Sequence, residues 1–180
     1  MKRRQSRTAG TETGLTLIEL IIVVGVIGLV SAITVPSVLQ ARITANETAV
    51  LGSMRAVNSA QAAYAGAASP GGYAMSFGVL VQACPGSHQG FISPDLAVDP
   101  AQKSGYTVAL APGTLGPGPA DCNGQATSIG YYLTAVPLTT GLTGHRGFAS
   151  TSPGVIYFHS NGTAPTEAET LPNGGGTPIQ

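Results

Sequence analysis

The chain is poor in charge. Asp, Glu, Lys and Arg make up 9% of its 180 residues, against roughly 25% in ordinary soluble domains. It has no Trp and two Cys, too few cysteines for a disulfide-dense mini-protein. With 43% apolar residues it is not a disordered polyelectrolyte either. Its 25 Gly follow no Gly-X-Y period, which excludes a collagen-like chain, and no internal repeat is present. Only Arg42, Arg55, Lys103 and Arg146 are basic beyond residue 14, and they form no cluster, so nucleic acid is not an indicated partner. His88, His145 and His159 stand apart, without metal-ligand spacing. No nucleophile-elbow, phosphate-loop or dinucleotide fingerprint occurs. Nothing in this inventory points to an enzyme, a cofactor or a metal.

What is present is concentrated at one end. Residues 1–14 hold Lys2, Arg3, Arg4 and Arg7 against Glu12. The remainder holds four basic residues against seven acids, so a head of net +3 precedes a body of net −3. A short basic head running straight into an apolar stretch marks a membrane-targeting element with its basic end in the cytoplasm. From Leu15 to Val35 there are 21 residues with one charge, Glu19. As a helix they span about 31 Å, close to the roughly 30 Å hydrocarbon core of a bilayer. One membrane span is predicted, with lipid as its first surroundings.

The helical pattern continues past Pro36. Leu39, Ile43, Val50, Met54, Val57 and Tyr64 recur at steps of three and four, with Asn46 and Gln61 filling gaps in the same stripe. The spacing predicts one helix over 15–66, with a bend or local melting at Pro36 and a stop at Gly66 and Ser69-Pro70-Gly71-Gly72. Residues 67–180 carry 19 of the Gly and 12 of the 13 Pro. Between these turns lie short β-type runs at 106–110, 131–136, 147–150 and 155–158. Sequential runs joined by turns predict an antiparallel meander. Its apolar face would cover the helix stripe, giving an α+β fold: a long N-terminal helix packed on a small β-sheet head. The 73–100 region reads as a partly structured connection, Ser160–Thr163 as a turn and 171–180 as a loose tail.

The junction at Gly14-Leu15-Thr16-Leu17-Ile18-Glu19-Leu20 resembles the processing site of type IV pilins and of the pseudopilins of type II secretion. Leu15 stands where Phe is commonest in that family. Leader, apolar span, Glu, internal Pro and amphipathic half also match in order, so the resemblance is specific over residues 1–66 and only architectural beyond. It implies that a prepilin peptidase cuts between Gly14 and Leu15, removing the 1–14 leader, and N-methylates Leu15. Gly14 presents a backbone without a side chain to a membrane-surface active site. An acid inside a span is costly. In the family this Glu, here Glu19, is thought to attract the amine of Leu15 on a neighbouring subunit and so fix axial register. Pro36 would be a weak point where the helix stretches during assembly. The implied partners are further copies of the chain in a helical polymer, the prepilin peptidase, and the inner-membrane assembly platform with its ATPase. The implied location is the inner membrane as a single-pass protein, then a surface pilus or a periplasmic pseudopilus.

Two cysteines allow one pairing, Cys84–Cys122, and an oxidising compartment outside the membrane predicts a disulfide. Asp95 and Asp99 could reach one cation, though their spacing lacks the dense oxygen ligands of a calcium loop and favours solvated turn acids. Residues 67–180 hold only seven charged side chains, which suits a subunit stacked on identical neighbours. Two other classes stay open. One is an exported protein with an ordinary signal peptide cut after Val30-Ser31-Ala32. The other is a membrane-anchored enzyme or binding module.

Overall fold

The computed structural model describes residues 14–171 and 174–179. Of the predicted leader, only Gly14 falls within them. The first helix, α1, runs Leu17–Ala67, 51 residues. Its start is set by Thr16, whose hydroxyl accepts from the Glu19 N–H at 3.3 Å. Its end at Ala67 falls within the predicted stop of Gly66 and Ser69-Pro70-Gly71-Gly72. Gly66 is still helical, and the chain turns only at Ser69-Pro70-Gly71, where Pro70 cannot continue the helix and Gly71 takes φ +87°. Of the bend or local melting expected at Pro36, the melting does not occur: the helix continues through it. Pro36 supplies no N–H, but neighbouring hydroxyls bond back along the helix, Thr34 Oγ1 to the Val30 carbonyl at 2.9 Å and Ser37 Oγ to that of Thr34 at 2.8 Å.

The chain divides between Val38 and Leu39 into an N-terminal unit and a compact unit. The compact unit takes the rest of α1 together with a six-stranded antiparallel sheet. The strands are β1 Ala101–Lys103, β2 Tyr106–Pro112, β3 Tyr131–Pro137, β4 Gly147–Thr151, β5 Ile156–His159 and β6 Thr177–Pro178, in sequential order. The four predicted runs are the four central strands. The outer two were not predicted. β6 corrects the loose tail: Thr177 pairs with Phe158 and Pro178 with Tyr157, and the Ile179 N–H donates to the Ile156 carbonyl at 2.8 Å. Registers such as Val108↔Ala135, Leu110↔Leu133 and Ala135↔Phe148 place the inward residues in continuous rows.

Those rows meet the helix stripe. Val50, Met54, Val57 and Tyr64 are buried with Tyr106, Val108, Leu133 and Phe148, each fully buried apolar side chain contributing about 1.5–3 kcal/mol. The connection at 73–100 adds a short helix, α2, Phe77–Val81, whose Phe77 and Leu80 complete the core. Leu39, counted in the predicted stripe, stays 38% exposed.

Polar ties lock this sandwich at fixed points along α1. Gln61 spans the gap to the Ala74 backbone, accepting from its N–H at 2.9 Å and donating to its carbonyl at 2.8 Å. Asn58 Nδ2 donates to Ser150 Oγ and to the Gly154 carbonyl, while the Tyr131 hydroxyl donates to Asn58 Oδ1. Glu47, 6% exposed, accepts from the His145 and Arg146 backbone N–H groups at 2.9 and 3.1 Å and from Arg146 Nε at 2.8 Å. The Arg146 guanidinium lies over the Phe148 and Phe158 rings. Asp121 accepts from the Tyr64 hydroxyl at 2.7 Å and from the Asn123 and Gln125 N–H groups.

Burial pushes the Glu47 and Asp121 carboxyls up, but their donors outweigh it and hold both below the usual carboxylate range. Burial and the adjacent Asp121 push the Tyr64 hydroxyl up. Since the folded values of the two acids are depressed, their contribution is fully present above the unfolded values and lost as pH falls through the folded ones. The compact unit should therefore hold a constant unfolding midpoint down to about pH 5 and lose stability below about pH 4. Glu47→Gln should make that acid loss shallower and cost about 1–3 kcal/mol at neutral pH. Denaturant titration at stepped pH reads both. An acid limb identical in the variant would remove Glu47 as its source.

Candidate functional site

The junction singled out by the sequence lies at the described N-terminal end. Gly14, Leu15 and Thr16 precede the first turn of α1. Leu15 is 84% exposed, and a Cβ built on Gly14 would meet nothing within 4 Å. Among the described residues nothing crowds the Gly14–Leu15 peptide.

Glu19 is engaged locally. Its Oε2 accepts from the Thr16 N–H at 2.9 Å and from Thr16 Oγ1 at 2.7 Å, while the Glu19 N–H is turned to the same hydroxyl. This is a capping box: residue and partner, three apart, satisfy each other's free donors at a helix start. Sequence reasoning missed it, although Thr16-x-x-Glu19 before an apolar run is its signature. The carboxylate is therefore held on the first turn, beside residue 15, where the helix dipole favours an anion.

From Leu17 to Val35 every large apolar side chain is more than half exposed. This is the one helix among the described residues long and apolar enough to cross a membrane. An apolar surface on all sides of a helix needs lipid or other protein around it.

The other candidate residues lie elsewhere. Cys84 and Cys122 form the predicted disulfide, with Cα atoms 5.6 Å apart. It ties the stretch after α2 to the connection between β2 and β3. The two loop acids are spent separately: Asp95 pairs with Lys103, and Asp99 Oδ1 accepts from the Leu110 N–H at 3.2 Å. Among the described residues no three His, Cys, Asp or Glu side chains gather as a metal site. The pairing of buried Glu47 with half-buried Arg146 went unseen in the sequence, because its members are 99 residues apart and neither sits in a motif.

Comparisons with protein families, with characterised proteins and with solved structures return no match for this chain.

Proposed function

We propose that the chain is a structural subunit of a type IV pilus-like filament. In this reading it is made as a precursor, inserted once in the inner membrane, cut between Gly14 and Leu15 by a prepilin peptidase, N-methylated on Leu15 and polymerised through α1. The observation that carries the proposal is an apolar helix exposed on every side and starting two residues after that junction. A soluble protein would have to hide such a surface, whereas a filament buries it against copies of itself. The fold of the compact unit is compatible, since α1 lies on an antiparallel sheet and keeps its opposite face free. That free face carries Ala41, Ala45, Gly52, Ala56, Ser59 and Ala63, all exposed, and small residues let helices approach closely.

The test is the intact mass and N-terminal residue of the protein recovered from the cell envelope. The expected chain starts at N-methylated Leu15. A chain starting at Ile33 would identify an ordinary signal peptide, and the apolar helix would then be absent from the mature protein. That result would overturn the filament reading.

A further inference from the structure

We propose that Asn161 is an acceptor for an N-linked sugar. The sequence holds two Asn-X-Thr triplets, Asn46-Glu47-Thr48 and Asn161-Gly162-Thr163. Such a triplet takes a sugar on the asparagine amide nitrogen only where that nitrogen can be reached. The structure closes the first and opens the second. Asn46 is half-buried on α1, its Nδ2 donates to the Thr143 carbonyl at 3.0 Å, and Thr48 Oγ1 donates back to the Thr44 carbonyl at 2.8 Å. Asn161 and Thr163 stand exposed on the turn after β5, with Gly162 between them buried at φ +83°.

The turn orients the carboxamide. Asn161 Oδ1 accepts from the Thr163 N–H at 3.0 Å and from Thr163 Oγ1 at 2.7 Å. The oxygen is thereby turned inward and the threonine hydroxyl lies beside the amide. Asn161 Nδ2 donates to nothing among the described residues. A concavity of about 300 Å³ lined by Phe158, His159, Ser160, Asn161 and Thr177 adjoins it, with room for a first sugar ring against the Phe158 side chain. The second substrate is an activated sugar carrying a diphosphate on its anomeric carbon, presented by a transferase. The bond from the anomeric carbon to the diphosphate oxygen breaks and a bond to Asn161 Nδ2 forms. One Nδ2 proton passes to a base of the transferase, and the diphosphate leaves with the bonding pair. The inference does not rest on filament assembly.

The experiment uses protein isolated from the cells that naturally make it, reduced and digested with trypsin. No Lys or Arg follows Arg146, so Asn161 falls in the peptide 147–180, while Asn46 falls in the peptide 43–55. The expected result is a sugar increment on 147–180, placed on Asn161 by fragmentation, with 43–55 bare. Asn161→Gln and Thr163→Ala should each abolish the increment completely and Thr163→Ser should keep it, with Cys84–Cys122 intact in all three before reduction. A bare 147–180 peptide would overturn the proposal. So would a sugar on Asn46, an increment that survives Asn161→Gln, or only the small mass gain of an asparagine converted to aspartate.

Discussion

Replacing Cys84 and Cys122 together by serine lowers the unfolding free energy of the compact unit by about 3–4 kcal/mol. The size follows from the separation of 38 residues, because the bond removes the freedom of a loop of that length from the unfolded chain. Its neighbours determine what else loosens. The Cys122 N–H donates to the Ala68 carbonyl at 2.8 Å, Asp121 holds the Tyr64 hydroxyl, and Asn123 Nδ2 donates to the Ala83 carbonyl at 3.3 Å. All three contacts converge on the C-terminal end of α1 and the stretch after α2. Without the bond that end should open first, so amide exchange should accelerate over residues 68–92 before it changes in β2, β3 and β4. The check is denaturant unfolding of the full chain in detergent, oxidised against the double serine variant, with the midpoint lowered and the slope steeper in the variant, whose unfolded chain is less compact. A difference under about 1 kcal/mol would mean that burial of Phe77 and Leu80 suffices to hold this stretch, and that the loop-closure argument is wrong here.

The parts of the fold that were legible in the sequence are those written in short-range patterns. The stripe Val50, Met54, Val57, Tyr64 has helical period, and Gln61 could be placed on it although it is polar. Val108 and Leu110, or Leu133 and Ala135, alternate with more exposed neighbours, and turns bound each run, so the central strands were found close to their true limits. Illegible parts depend on partners far away in sequence. Glu47 reads as a surface acid until Arg146 and the 145–146 backbone arrive across the sheet end. α2 is only five residues long, too short for a period, and is fixed by core burial rather than propensity. β6 holds Pro178 on an edge, where a missing N–H costs no ladder bond, so its sequence resembles a tail. Of the candidate site, the apolar helix was legible in its long uncharged run. The capping box was equally legible, since Thr16 and Glu19 stand three apart just before an apolar run.

That capping box yields the sharpest test of the proposed filament, because it gives Glu19 a role that needs no neighbour. Glutamine serves the reciprocal hydrogen bonds of a capping box nearly as well as glutamate. Glu19→Gln should therefore preserve the start of α1, whereas Glu19→Ala removes the acceptor for the Thr16 N–H and hydroxyl and frays it. Charge pairing divides the variants differently. In an apolar helix bundle the amine of Leu15 on an adjacent subunit would need a carboxylate, and neither glutamine nor alanine provides one. Leaving such a charge buried without its partner costs about 3–5 kcal/mol, roughly a hundredfold or more in association. Both variants should therefore be cut and methylated as usual yet yield at least tenfold fewer filaments, as counted by electron microscopy and by the sheared fraction. Thr16→Ala, which keeps the charge and loses the cap, should lose far less. If Glu19→Gln assembled like the parent chain while Glu19→Ala did not, the carboxylate would be acting as a cap and the pairing between subunits would be wrong. The intact mass of each variant separates this outcome from a failure of processing, since an uncut chain retains residues 1–14 and cannot present a Leu15 amine at all.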